Sequence, residues 1–560
     1  LSPLPPAPCW PRRDADHLLV SGAQMAALEQ QLFASGLPVE ALMEKAALAV
    51  AERVRTGSAW RGRARRAGVL VLVGPGHNGG DGLVVARELH LAGWPVRIWC
   101  PWPRLKPLTE AHRRHAAWLG IAALEGEPDP ADGALWIDAL FGVGQTRRLD
   151  PALEQLLAHR QQQQPAQLLA IDVPSGLCSD SGRCLGDGAA VAHTTFCIGL
   201  RKQGLVQDAA LPYVGRLRRI DLGLAATLLG SLPPSQLLGI GGAMAASDLG
   251  ALPWPQIDPT AAKYGRGRLL VVAGSQTFRG AAILALSGAS ASGVGSLRAA
   301  LPEAVAERLW LVQPHTVLQA SLGSTAQGGL ALGGLGAGAL DRLDAVLLGP
   351  GLGAAAATAE ARLWQAEQSF WDQLQAFPGL LVLDADGLNR LAASSGEPGE
   401  APGILWLRGR SGPTWITPHR GEFNRLFPDL GDLQPLEAAR QAAALACCSV
   451  LLKGARSVVA AADGRCWQLL KAWPGAARAG LGDVLAGFAA GVGGRALAAG
   501  ADLEALPVLL AGAALAHAEA GGLVVRQQGE GAATPEAVAA ALPTVRKVKK
   551  SAHLRAAQQH

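Results

Sequence analysis

VLVGPGHNGGDGLVVAR, residues Val71–Arg87, runs from an apolar strand through five glycines and into the start of a helix. A short, wholly apolar run ending in such a turn is the pattern of a parallel strand buried on both faces. The glycines let backbone N–H groups point into a cavity, and the helix start adds positive potential, a combination suited to phosphate oxygens. Working outward, the same grammar recurs. Strands are predicted at Val69–Val73, Val96–Trp99, Ala134–Ile137 and Leu168–Ile171, with DALFGVG (138–144) after the third and DVPSG (172–176) after the fourth. This predicts an α/β fold, a parallel sheet covered by helices on both faces whose ligand crevice lies at the carboxyl ends of the strands. A GxGxxG dinucleotide fingerprint is the rival reading, but the second strand ends in Trp99–Cys100 without the acid that would hold a ribose.

The 560 residues exceed what one core organises, and a second series follows the first. Residues 1–230 form the first expected domain. The stretch 231–258, with Pro233, Pro234, Pro253 and Pro255 and Pro259 just beyond, reads as a linker. Residues 259–545 form a second α/β domain with strands at Arg268–Ala273, Ala345–Leu348, Leu380–Leu383, Trp415–Thr417 and Val450–Leu452. Residues 546–560 read as a basic, disordered tail.

In the first domain Asp138 and Asp172 each stand where a strand meets its loop, with Asn78 and Ser175 at equivalent ends. A lone Asp there is often only a cap; two of them with a hydroxyl and an amide suggest a site for a hard, oxygen-seeking cation. In the second, GLGDVLAG (480–487) opens an apolar helix whose N-terminus can meet a transferring phosphoryl group. Asp483 is placed to take a proton from a substrate hydroxyl. GPGLG (349–353), DADGLN (384–389), TPHRGEF (417–423) and KGARSVV (453–459) each follow an apolar strand, and Lys453 offers a cation to nucleotide phosphates. His419 either bonds a substrate or satisfies its own loop.

NGGDG (78–82), DALFGVG and DVPSGL (172–177), in that order, resemble the YjeF N-terminal family of NAD(P)HX epimerases over residues 20–225. The resemblance implies a Rossmann-like three-layer αβα domain that interconverts the R and S forms of hydrated NADH and NADPH. It would place K+ on Asn78, Asp138 and Ser175, and substrate on His77, Asn78, Gly79, Gly80, Asp81, Gly142, Val143, Gly144, Gln145, Thr146, Arg147, Arg148 and the catalytic Asp172. The chain reads AHTTF at 192–196, where the family often has an Asp. Lys202, the equivalent of a family lysine, is expected to be a surface or phosphate-neutralising charge.

The later motifs, with KYGRGRLLVVAGS (263–275) and RGAA (279–282), resemble the ribokinase-like superfamily and, within it, the ADP- or ATP-dependent NAD(P)HX dehydratases over residues 255–545. That resemblance implies phosphorylation of the ring hydroxyl of the S form and elimination of phosphate, with ADP or ATP as cosubstrate, Mg2+ beside it, and Asp483 as catalytic base. Ala281, Gly351, His419 and Asp483 would contact the hydrated dinucleotide. Lys453, Ala455, Arg456, Ser457, Val458 and Gly482 would surround the nucleotide. A Gly-Asn pair common before this loop is absent from KAWPGAARAGLGD (471–483). The competing reading is a small-molecule kinase acting on a vitamin precursor, with the first half as a binding module; a non-catalytic scaffold is a third.

Composition narrows the remaining classes. Apolar residues make up 49% and charged ones 17%, enough to build cores. The net charge of +5 is small, so the clusters Arg61, Arg63, Arg65, Arg66 and Arg546, Lys547, Lys549, Lys550 read as solvated surface rather than a nucleic-acid interface. Eight scattered cysteines without a CxxC fit a reducing cytoplasm better than a disulfide framework. The first twenty residues lack a basic start and apolar run, so no signal peptide is expected. The uncharged stretch from Arg279 to Arg298 is expected to be a buried helix rather than a membrane span. A homo-oligomer is expected.

Overall fold

Val69–Val73 is buried at every position, so neither face of this strand meets water and its apolar run has no polar alternation. The computed structural model describes residues 10–256, 258–353, 360–393 and 401–545. The chain divides into one unit of Arg13–Gly239 and a second beginning at Ile240, which also takes in Trp10–Arg12.

The first unit is built on seven parallel strands, β1 (Val69–Val73), β2 (Val96–Trp99), β3 (Ala122–Leu124), β4 (Leu135–Ala139), β5 (Leu168–Ile171), β6 (Thr194–Ile198) and β7 (Arg216–Ile220). Their order is β3-β2-β1-β4-β5-β6-β7. The chain leaves β1 toward β2 and β3 and returns to β4 on the other side, with Leu72 beside Asp138. That reversal opens a crevice beyond the strand ends. Helices α1 (Gly22–Ala34) and α2 (His77–Leu91) flank the site, and α2 grows directly from the glycine turn after β1. The predicted strands stand within two residues of their expected bounds. β7 escapes a hydropathy reading because Arg216 and Arg218 alternate outward on an edge strand, where charge discourages pairing with another chain.

The second sheet is formed by β8 (Leu238–Ile240), β9 (Arg268–Val272), β10 (Ser296–Pro302), β11 (Val317–Leu322), β12 (Ala345–Leu348), β13 (Leu380–Leu383), β14 (Thr414–Ile416), β15 (Ser449–Leu452), β16 (Val458–Ala460) and β17 (Cys466–Leu469). The order is β8-β17-β16-β15-β14-β13-β12-β9-β10-β11. From β15 to β11 the pairing is parallel; β16 and β17 add antiparallel. Here the reversal lies between β9 and β12. Helices α3 (Arg279–Ala291), α4 (Glu360–Ala376), α5 (Ala385–Ala392), α6 (Arg420–Leu426), α7 (Leu481–Ala498) and α8 (Leu506–Gln528) pack around this sheet.

Two expectations change. The uncharged stretch after Arg279 is not one helix: α3 ends at Ala291, and the chain re-enters the sheet as β10 at Ser296. Residues 231–258 are not free linker. They hold β8 and the helix Ala245–Ala251, and Trp10 Nε1 donates to the Asp248 carbonyl at 2.8 Å. Prolines there mark turns between packed elements. The expected tail, 546–560, lies outside the described residues.

Helices α7 and α8 are long and apolar enough to cross a membrane, yet 72% of each such window is buried inside the fold. Small residues permit this packing. A Cβ added at Gly487 of α7 would lie 1.9 Å from the Ala285 carbonyl oxygen of α3, and one added at Gly288 would lie 2.1 Å from that of Val484. The glycines and alanines of these helices are therefore contact surfaces.

Candidate functional site

In the first unit, Asp138 ends β4 with its carboxylate fully buried. Oδ1 accepts from Ser175 Oγ at 2.7 Å and from Leu140 N at 3.2 Å, and Oδ2 accepts from Ser175 N at 2.8 Å. Burial pushes its pKa up to about 6 against these three bonds, and no cationic side chain is among the groups that shift it. A buried carboxylate joined to a hydroxyl, with no cation to balance it, is donor chemistry that fits a hard monovalent ion. Asn78 approaches from α2: its Nδ2 donates to the Ile171 carbonyl at 3.4 Å. A Cβ built on Gly142 would stand 3.3 Å from Asn78 Oδ1 and 3.1 Å from Asp172 Oδ2, so these two side chains converge on one bare stretch of backbone.

Asp172 follows β5 with φ of +66°, a left-handed conformation that aspartate tolerates better than most residues and that is often kept where geometry matters. Its Oδ2 accepts from Val143 N at 3.0 Å. Its Oδ1 accepts from Ile198 N at 3.3 Å and from Lys202 Nζ at 2.5 Å. Lys202 is therefore no surface charge. Its side chain is 1% exposed and also donates to the Ile198 carbonyl at 2.7 Å. The short strand Arg201–Lys202 pairs with Leu19–Val20, a contact distant in sequence that turns the lysine inward. Burial alone would lower its pKa, and the neighbouring Asp172, with Cys197 and Glu29, reverses this, holding the ammonium above the ordinary lysine value.

Two more carboxyls face this pair. Asp81 is 9% exposed, and burial, then Asp172 and Glu29, raise its pKa well above the usual range. Glu29 of α1 is raised by burial first and by Asp172, against Lys202. Glu29 has no motif around it and was invisible to sequence reading. Of the loop 142–148, Gly142, Val143 and Gln145 turn toward the site, and Gln145 Oε1 accepts from Gly176 N at 2.7 Å. Gly144, Thr146, Arg147 and Arg148 are exposed, as is His77, and Arg148 pairs outward with Asp187 at 2.8 Å. Gly79 and Gly80 are buried in the first turns of α2.

In the second unit, Asp483 lies in the first turn of α7 behind Gly480. Burial, reinforced by Asp384 and opposed by Lys453, raises its pKa to about 7. Lys453 Nζ binds Asp384 Oδ1 at 2.6 Å and stands 3.9 Å from Glu422 Oε2. Thr417 Oγ1 donates to the same Asp384 oxygen at 2.8 Å. A Cβ on Gly482 would come within 3.5 Å of Lys453 Nζ. Burial raises the Glu422 carboxyl too, with Lys453 opposing. The ends of β13, β14 and β15 and the start of α7 thus gather three carboxyls about one lysine. DADGLN and TPHRGEF supplied Asp384 and Glu422, to which no role had been attached.

Gly349 has φ of +138°, and a Cβ there would lie 1.7 Å from the Asp384 carbonyl oxygen; only glycine fits. A Cβ on Gly351 would meet that of Ala281 at 2.6 Å, so these two predicted substrate contacts sit together. His419 caps α6: its Nδ1 accepts from Gly421 N at 2.9 Å and Glu422 N at 3.3 Å, and its Nε2 lies 3.1 Å from Glu422 Oε1. Both nitrogens serve the helix start, and the half-exposed ring is what remains for a ligand. Among the predicted nucleotide contacts, Ala455 and Ser457 lie with Lys453 on the loop after β15. Arg456 and Val458 are buried, so Val458 can offer only backbone.

A family model described as NAD(P)H-hydrate dehydratase matches residues 269–544, and one described as YjeF-related protein N-terminus matches residues 39–204. The chain is 40% identical over 515 residues to the bifunctional NAD(P)H-hydrate repair enzyme Nnr of Synechocystis, covering 91% of both chains. It is 42% identical over 476 residues to the enzyme of that name from Gloeobacter violaceus, covering 84% of this chain and 87% of the relative. Among solved structures, the ADP/ATP-dependent NAD(P)H-hydrate dehydratase from Bacillus subtilis, co-crystallized with ATP/Mg2+, matches at 24% identity and a TM-score of 0.41, covering 54% of this chain and 97% of that one.

Proposed function

Because the chain belongs to the family of bifunctional NAD(P)H-hydrate repair enzymes, we propose that its two carboxylate clusters are the two active sites. It is an enzyme with an epimerase unit followed by a dehydratase unit. What supports the assignment of roles is that each cluster gathers at the carboxyl ends of the parallel strands of its own sheet, on the motifs of the matching half.

In the epimerase unit, Asp172 acts on the hydroxyl-bearing carbon of the hydrated ring. Opening that ring turns the hydroxyl into a carbonyl as its proton passes to Asp172 and the carbon–nitrogen bond breaks with its electron pair going to the ring nitrogen. Reclosing on the other face reverses each change, and Asp172 returns the proton. Lys202, at 2.5 Å, and the N–H groups of Val143 and Ile198 fix its orientation. Asn78, Asp138 and Ser175 would hold K+, whose charge would balance the buried Asp138 carboxylate. His77–Asp81 and Gly142–Arg148 line the substrate. Replacing Asp172 by Asn removes epimerisation while leaving the fold intact; unchanged turnover would take the role from it.

In the dehydratase unit, ADP or ATP binds beside Lys453, Ala455, Arg456, Ser457, Val458 and Gly482, and Asp384 and Glu422 would supply acidic oxygens for Mg2+, whose charge would offset that of the phosphates. Ala281, Gly351 and His419 meet the hydrated dinucleotide. Asp483 takes the hydroxyl proton, the oxygen attacks the terminal phosphoryl group, and that group's bond to the nucleotide breaks. Phosphate then leaves with a proton from the neighbouring ring carbon, and the dihydronicotinamide is restored. A pKa of about 7 suits a base that works at neutral pH. Asp483→Ala is expected to abolish dehydration, and retained activity would dismiss it as the base. All seven described cysteines are free, which supports a reducing, cytoplasmic setting.

A further inference from the structure

Arg390 of α5 is 3% exposed, and its guanidinium does more than pair with one acid. One nitrogen binds Glu367 Oε1 of α4 at 2.7 Å. The other donates to the carbonyls of Leu330 at 3.0 Å, Leu352 at 3.2 Å and Gly353 at 3.2 Å. Glu367 in turn receives Leu332 N and Trp371 Nε1, each at 3.4 Å. From the same helix as Arg390, Asp386 Oδ2 accepts from Gly353 N at 2.8 Å. Both the N–H and the C=O of Gly353 are therefore held by α5.

The turn being held is Gly349–Gly353, in which Gly349, Gly351 and Gly353 all have positive φ. A turn with three such glycines has little rigidity of its own. Stability alone is a weak reason for the device. Burying an ion pair costs about as much as it returns, and apolar residues of similar volume often serve as well. A planar fork that collects three carbonyls fixes geometry in a way apolar residues cannot.

We propose that Arg390, balanced by Glu367, is a positioning residue that sets the Gly349–Gly353 turn for the hydrated dinucleotide. This rests on the reading above that Gly351 contacts that substrate. It assigns a role in substrate binding to a buried pair that acts through the turn it holds.

The test uses the full chain with hydrated NADH and ADP or ATP, and the double substitution Arg390→Met with Glu367→Leu. Removing both charges leaves no unpaired ion, so the melting temperature should stay near that of the unmodified chain. KM for hydrated NADH should rise about tenfold, as expected when a binding turn loses its register. KM for the nucleotide and the rate of epimerisation should not change. A folded double variant with unchanged KM for hydrated NADH would overturn the proposal. Should that variant not fold, Arg390→Lys supplies the second reading: it keeps a cation for Glu367 but lacks the fork for three carbonyls. It should show the same selective rise, and an unchanged KM there also overturns the proposal. If the unmodified chain fails to turn over hydrated NADH at all, the substrate reading itself falls, a result distinct from a variant that matches the unmodified chain.

Discussion

Asp384 acts on Asp483 in two ways: it binds Lys453, and its own charge helps raise the pKa of Asp483. Asp384→Asn removes a nearby negative charge, so the Asp483 carboxyl should titrate lower. The rising limb of the dehydration pH profile, expected at about 7 in the unmodified chain, should shift to lower pH; an unmoved limb would contradict the coupling. Asp138 gives a second test through stability. Its pKa is raised from 3.8 to about 6 in the fold. A carboxyl raised in this way stabilises the fold fully when protonated, below its unfolded value, and loses that contribution as pH rises through the folded one. A cation at Asp138 would offset the loss. K+ should therefore raise the first unit's melting temperature above pH 6 and have little effect below pH 4, compared with a bulky cation such as choline. Equal effects at both pH values would argue against K+ there. At this scale Asp138 and Asp172 were legible because strand ends announce them, and Asp483 because a glycine-rich stretch opens an apolar helix there. Lys202 and Glu29 were not, since the strand pairing of Arg201–Lys202 and the approach of α1 are long-range contacts with no local pattern.

Among the elements, α7 both fills the second core and carries Asp483 in its first turn. Its seat on α3 depends on Gly487, where a Cβ would lie 1.9 Å from the Ala285 carbonyl oxygen. Gly487→Ala must push the helices apart, with an expected cost of about 1–3 kcal/mol in denaturant unfolding and a fall in dehydration while epimerisation is kept. Equal loss of both activities would show that the effect is not confined to α7. The strands that lead into glycine turns were readable from apolar runs alone, since burial on both faces leaves no polar residue in them. β7 was hidden by its edge arginines, and β8 by the prolines around it, because charge and proline also signal surface and turn. The helix–strand break after Ala291 was equally hidden: no charge marks the change from helical to extended backbone.

For the whole molecule, two chemistries on one chain predict an asymmetry. Asp172→Asn should leave dehydration of S-form hydrated NADH intact and stop feeding the R form into it, so a mixture of both forms is repaired only in its S fraction. Asp483→Asn should recover no NADH while R and S forms still interconvert, followed by chiral chromatography. A single active site serving both steps would lose the two activities together. The direct measurement is the return of NADH absorbance when the purified chain meets an R and S mixture of hydrated NADH, with and without ADP or ATP. Complete recovery that requires the nucleotide and releases inorganic phosphate is the predicted result. Failure to restore NADH, or accumulation of a stable phosphorylated product, would contradict the account.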